Sequence, residues 1–278
     1  MFETYEEPSI KDLEHNRREK EDAVYVITGP DQVRPKDISK ALKSPSFKQQ
    51  LPRFLMKEWA SEHHAHVLSG REIFLGVDGE CVQFCVVNDR VERQLVARLN
   101  CNHPEADTRL CLHMIDADAH MPTGGDIVVR ATDTDVLVML LHHLHRVGAN
   151  VWMEVGTSGR GNRRYVNVSA IACKLGPECR AALPAFHAYT GCDYTAAFAR
   201  KGKKRPFAQL EKDDRFLQAF ASMATNPVDE FTLQTIQDYT CALYGSRKSV
   251  SLNSHRYKVF EKAYGPKDTD KPLQTEGN

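Results

Sequence analysis

The sequence predicts an α/β protein: three layers, α/β/α, around a mainly parallel central sheet, followed by a helical C-terminal region. Three observations lead there. Short apolar strands, "GGDIVVRAT" (124–132) and "NVWMEV" (150–155), alternate with helix-like runs through the middle of the chain. The run between them, "VLVMLLHHLHR" (136–146), is apolar nearly all round, as a helix covered on more than one side would be. From residue 169 onward helical patterns dominate. Strand–helix alternation implies parallel pairing through right-handed crossovers, and such sheets place functional groups at the carboxyl ends of their strands.

Taken in order, residues 8–22 read as a charged helix and "AVYVIT" (23–28) as a short strand. Residues 37–62 read as helices broken at Pro45 and Pro52. "REIFLGVDGECVQFCVV" (71–87) reads as a hairpin, two β-rich runs joined around Asp78-Gly79. "EADTRLCLHMIDADA" (105–119) carries Leu110, Cys111, Met114 and Ile115 at helical spacing. After the strand at 150–155 comes a Gly/Arg turn, "GTSGRGNRR", and "YVNVS" returns as a strand. Helices are expected at 169–176, 178–189, about 194–200, 206–223 and 229–244. The organisation read from this is an α/β domain over 1–200 with an insert at about 30–100, a helical region over 201–265, and a disordered tail over 266–278.

The 278 residues carry 37 Lys+Arg against 37 Asp+Glu, so any signal for a polyanionic partner has to be local. No window approaches the ~18 consecutive apolar residues of a membrane span. The opening "MFETYEEPSIKDLEHNRREKED" lacks the apolar stretch of a signal peptide. Eight cysteines include no C-x-x-C pair, and several lie in apolar runs, where a thiol packs as a small hydrophobe. This usage suits a reducing intracellular compartment and argues against a disulfide framework or a zinc ribbon.

The chemistry-bearing residues are acidic. Glu105 and Asp107 in "PEADT", Asp133 and Asp135 in "TDTDV", and Asp193 in "TGCDYT" each adjoin apolar sequence rather than a solvated charge run. Carboxylates gathered in a partly apolar place repel, and a divalent cation removes that penalty. Oxygen-only ligands favour Mg²⁺ or Mn²⁺ over Zn²⁺. Two such ions can activate a water and stabilise the leaving oxygen in phosphodiester hydrolysis.

The order of these clusters resembles the flap endonuclease group of structure-specific 5′ nucleases, within the wider PIN-like superfamily, and its wording is similar to transposon-associated PIN-like proteins of animals. That group presents an acidic pair at a helix start, a strand ending D-x-D, and then G-S-D-Y. The counterparts are Glu105/Asp107, Asp133/Asp135 and Asp193 in "GCDY". The resemblance implies two Mg²⁺ or Mn²⁺ ions held by Glu105, Asp107, Asp133, Asp135 and Asp193, and cleavage of DNA at flaps or single-strand/duplex junctions. It also implies that Lys11 and Arg18 contact the scissile phosphate, with Glu3 where the family has an aspartate. A family strand carrying a further Asp would lie upstream of Met1. The family's DNA-gripping helix–turn–helix has its counterpart in "FARKGKKRPFAQL", which lacks the first glycine of the turn.

"RKGKKR" supplies Arg200, Lys201, Lys203, Lys204 and Arg205 directly after Asp193, dense charge of the kind that binds a nucleic-acid backbone. The Arg-rich turn "GRGNRR" (159–164) reads as a solvated loop, and no aromatic interleaving points to base stacking. "HHAH" (63–66) and "HHLH" (142–145) lack a nearby Cys or matched third ligand and read as capping or partly buried helix ends. His187 is open between a packed helix residue and a neighbour of the acidic site. The expected partner is nucleic acid, DNA ahead of RNA, in the nucleus, with no membrane. Two other readings compete: a catalytically inactive nucleic-acid-binding or interaction module derived from a mobile element, and a D-x-D phosphatase. The phosphatase reading leaves Glu105, Asp107 and Asp193 without a role.

Overall fold

The computed structural model describes residues 25–42, 44–103, 105–156, 161–225, 227–246 and 251–265. The helix expected at 8–22, the first residues of the strand at 23–28, Lys11, Arg18 and the tail at 266–278 lie outside these. The chain divides into two compact units: one reaches to Val129 and takes in Arg146–Ala149, and the other comprises Arg130–His145 and the described residues from Asn150 onward.

The first unit opens with α1 (Ile38–Ala41), whose N-cap Asp37 accepts from the Lys40 N–H at 2.9 Å. In α2 (Pro45–Glu58) Pro45 takes the first turn, where a missing N–H costs nothing, but Pro52 does not break the helix as expected. A short 3₁₀ turn and α3 (Ala65–Leu68) follow. Three antiparallel strands then form a meander: β1 (Ile73–Val77), β2 (Glu80–Val87) and β3 (Arg90–Leu95). The first turn is the expected Asp78-Gly79, with φ of 49° and 87°. The second, Asn88-Asp89, has φ of 51° and 60°, so both turns are of the primed kind that matches strand twist. Leu75, Val77, Val82 and Phe84 form a core under Leu55, Met56 and Trp59 of α2 and the residue after it, with Trp59 edge-on to Phe84. Cys81, Val96 and Leu99 form a second cluster against Phe74 and Leu112. Leu112 belongs to α4 (Ala106–His120), the helix expected at 105–119.

The remaining strands, β4 (Asp126–Arg130), β5 (Asn150–Val155) and β6 (Arg164–Asn167), form a small mixed sheet in the order β4-β5-β6, with β5 and β6 antiparallel. The expected mainly parallel central sheet is therefore corrected to two separate three-stranded sheets, one antiparallel and one mixed. The reason lies in the connections. Parallel pairing needs a crossover of a dozen or more residues, and only residues 156–163 separate β5 from β6. Among the described residues, strand, helix and strand alternate within one sheet only through α5 (Thr134–His143).

Helices make up the rest of the second unit. α6 (Val168–Tyr189) is two helical pieces meeting at Gly176, whose φ of 75° and ψ of 167° are not helical, with Pro177 starting the second piece. The expected helix at 194–200 is a turn instead. The one expected at 206–223 is two, α7 (Lys204–Leu210) and α8 (Asp214–Thr225), and α9 (Glu230–Leu243) and α10 (Leu252–Tyr264) complete the described residues. α6 packs on α5, β5 and α8. An aromatic cluster of Phe186, Phe207, Phe216, Phe220, Tyr189 and Tyr239 ties α6 to α7, α8 and α9.

Candidate functional site

The two aspartates of "ATDTDV" enter the second unit along β5, where the Ala131 N–H donates to the Glu154 carbonyl at 3.2 Å. Asp133 is the N-cap of α5: its backbone is extended (φ −84°, ψ 138°) and its Oδ1 accepts from the Asp135 N–H at 2.9 Å. Val136, Leu140 and Leu141 bury the opposite side of the helix, which fixes the direction of its first turn. Asp133 is exposed and Asp135 half-buried.

Asp135 meets His187 across 52 residues of sequence, its Oδ1 at 2.7 Å from the His187 Nε2. His187 is buried on the last turn of α6. Its carbonyl accepts from the Lys203 Nζ at 2.9 Å, and the same ammonium reaches the Thr190 Oγ at 3.3 Å. Burial holds the Lys203 pKa below the ordinary lysine value, while Cys192 and the Asp135 carboxylate pull it back upward. The result is a carboxylate, an imidazole and an ammonium assembled from three helices.

Between them lies the "TGCDYT" turn. Gly191 takes φ 108°, and a Cβ there would stand 2.6 Å from Ala197 Cα, so only glycine fits. The Cys192 N–H donates to the Thr195 Oγ at 3.1 Å, and Thr195 in turn donates to the Ala188 carbonyl. Cys192 and Thr195 thus pin the base of the turn, and Asp193 and Tyr194 stand exposed at its tip. Among the described residues no hydrogen bond or ion pair joins Asp193 to Asp133 or Asp135.

Glu105 and Asp107 belong to the other unit, at the N-terminus of α4. Glu105 is the N-cap residue without a side-chain capping bond, and both acids are half-buried. Arg109, one turn on, is 2 % exposed and donates through Nη2 to the Cys101 carbonyl at 2.8 Å.

The basic run is divided. Lys203 is committed to His187 and Thr190, and Lys201 lies over the Tyr244 ring at 4.4 Å. Arg200, Lys204 and Arg205 face solvent. His142, half-buried, and His145, exposed, contact the backbone carbonyls of Arg180 and His142.

Among the described residues no group of three or more His, Cys, Asp or Glu is arranged to hold a metal ion. Asp133 and Asp135 are a two-oxygen donor set of the kind Mg²⁺ accepts, since that ion keeps several waters and takes one or two carboxylates plus substrate phosphate. Sequence reasoning found the two aspartates. It missed Thr190, Cys192 and Thr195, whose only signal was the two threonines bracketing "GCDY". Comparison with protein-family models, curated proteins and solved structures found no match for this chain. No helix of the described residues is long and apolar enough to cross a membrane.

Proposed function

We propose that the second unit hydrolyses phosphodiester bonds in nucleic acid with the help of Mg²⁺ or Mn²⁺, centred on Asp133 and Asp135. The observation that carries this is the Asp135–His187 contact at 2.7 Å with Lys203 behind it, an arrangement that orients one carboxylate on the first turn of a helix. Buried partners that fix a ligating carboxylate are what a metal site needs beyond its ligands. A divalent ion at these oxygens supplies charge neutralisation at the scissile phosphate and a more acidic water.

The chain's own residues do the rest. Asp133, held by the Asp135 N–H, keeps its second oxygen toward solvent. His187 fixes the Asp135 rotamer through the 2.7 Å contact at its Oδ1. Lys203 ties the end of α6 to the following helix, and Arg200, Lys204 and Arg205 supply exposed cations for the phosphate backbone. Asp193 stands close by in sequence, on a turn able to bring a further oxygen.

The test is cleavage of labelled single-stranded and flap DNA by the full chain with Mg²⁺, Mn²⁺ or EDTA. Metal-dependent cutting is expected, abolished by Asp135→Asn and Asp133→Asn, and lowered about 10- to 100-fold by His187→Gln. Metal-independent cutting, or cutting unaffected by Asp135→Asn, refutes the assignment. A second reading, a binding module without catalysis, is favoured by one observation: one oxygen of each aspartate already serves a protein partner. It predicts DNA binding equal in EDTA and in Asp133→Asn, with no cleavage under any metal.

A further inference from the structure

The β5–β6 sheet buries one face only. Val151 and Met153 are fully buried on the side packed by α6, and Val166 pairs with Met153 there. The other face carries Trp152 and Glu154 from β5, Tyr165 opposite Glu154 on β6, and Arg130 and Arg163 at its edges. Tyr165 is 50 % exposed, and the Arg130 side chain 70 %. Trp152 and its pair Asn167 on the same face are half-buried, and Glu154 is 5 % exposed.

Its burial has a geometric purpose. Arg163 Nη2 donates to the Glu154 carboxylate at 2.7 Å, and Arg130 Nε stands 3.5 Å from the other oxygen. The same guanidinium of Arg163 lies 5.5 Å from the centre of the Tyr165 ring. The buried carboxylate therefore holds Arg163 in place over one face of the half-exposed Tyr165 ring, with Arg130 close by in charge contact, so less side-chain freedom is lost at Arg163 when a ligand arrives. Two cations against one anion leave the face positive. A positive stretch of sheet face carrying an exposed tyrosine is complementary to a polymer alternating phosphates with flat bases.

We propose that this face is a binding platform for single-stranded nucleic acid: Arg130 and Arg163 contact phosphates, and a base stacks on Tyr165. The inference deepens the nucleic-acid reading above, names the strand rather than the duplex as its ligand, and needs no cleavage. It gives Arg163, near the end of the Arg-rich stretch expected to be a solvated loop, a phosphate to contact. Trp152 and Tyr165 lie 13 residues apart in sequence and come onto one sheet face through strand pairing alone.

The test is fluorescence anisotropy of the full chain with labelled oligo-dT in EDTA, so that binding is read without hydrolysis. Tyr165→Ala is expected to weaken binding at least about fivefold, and Tyr165→Phe to bind as the native chain does. Arg130→Ala should weaken binding and flatten its salt dependence by a slope of about 0.7. Asp135→Asn, which reports on the proposed hydrolytic centre, should bind like the native chain. Tyr165→Ala binding with native affinity while its far-UV circular dichroism is unchanged overturns the proposal. So does competition by inorganic polyphosphate or polyglutamate as effective, per charge, as by oligo-dT, because the face would then read charge without bases.

Discussion

Tyr239 shows how one side chain organises the second unit. It has no exposed surface, its hydroxyl donates to the Pro206 carbonyl at 2.9 Å, and its ring meets Phe220 at 5.1 Å and Phe216 at 5.3 Å. Burial pushes its phenol well above the ordinary tyrosine range, so it stays a neutral donor under any ordinary condition. Tyr189, whose hydroxyl meets the Thr240 Oγ at 2.8 Å, joins the same cluster two residues from His187. Packing around Tyr239 thus reaches the end of the helix that presents His187 to Asp135. Tyr239→Phe keeps the ring but strands the Pro206 carbonyl, at a cost of about 1–3 kcal/mol. Tyr239→Ala removes the ring as well and should cost about 3–5 kcal/mol. Urea denaturation of the two variants against the native chain measures both. A Phe variant as costly as the Ala variant would mean that the hydroxyl, rather than the ring, holds the cluster.

Elements are set by where the backbone is forced out of helix. Gly176 and Gly191 bound the second piece of α6, and both have positive φ, at 75° and 108°. A Cβ at Gly176 would meet nothing within 4 Å, so Gly176→Ala suffers conformational strain alone, about 1–3 kcal/mol. At Gly191 the Cβ would also stand 2.6 Å from Ala197 Cα and Cβ, adding a further ~1–3 kcal/mol of overpacking. Gly191→Ala should therefore lower the denaturation midpoint more than Gly176→Ala does, and equal shifts would contradict the close approach. These positions also mark what the sequence made legible. The α6 break at Gly176-Pro177 and the hairpin turn at Asp78-Gly79 were readable because a glycine announces them locally. β3 was missed because "RVERQL" is a mostly exposed edge strand with little apolar alternation. Pro52 misled because packing of α2 on the meander outweighs one lost backbone bond. In the candidate site, the aspartate pair was visible at a strand end. Its pairing with His187 was not, because the contact spans 52 residues and the sequence left His187 open between a packed helix residue and a neighbour of the acidic site.

At the scale of the molecule, the perturbed groups predict how stability follows pH, unit by unit. In the first unit burial holds His113 below its ordinary 6.5. A buried group that resists protonation leaves the unfolded chain binding more protons once pH falls below that value, so the unit loses stability from about pH 6.5 downward. In the second unit the acid-sensitive groups are carboxylates: Glu154 held down by Arg163, Asp213 by Arg215, and Asp229 by the Thr232 N–H that it caps. Their ordinary values are 4.5 for Glu154 and 3.8 for the aspartates, so their stabilisation is complete above these and fades as pH falls through them. Thiols limit both units on the alkaline side. Cys111 is pushed up to about 11 by burial, and Cys81, Cys179 and Cys241 are raised from 9.0 for the same reason, so above about pH 9 the unfolded chain ionises first. The two tryptophans separate the units, Trp59 packing in the first and Trp152 lying in the second. Denaturant titrations of Trp59→Phe and Trp152→Phe, followed by fluorescence of the tryptophan that remains, report on each unit in turn. The Trp59 midpoint should begin to fall as pH drops below about 6.5, while the Trp152 midpoint still holds, and the Trp152 midpoint should follow below about pH 4.5. Coincident midpoints at every pH would show instead that the units unfold as one, with His113 acting on the whole chain.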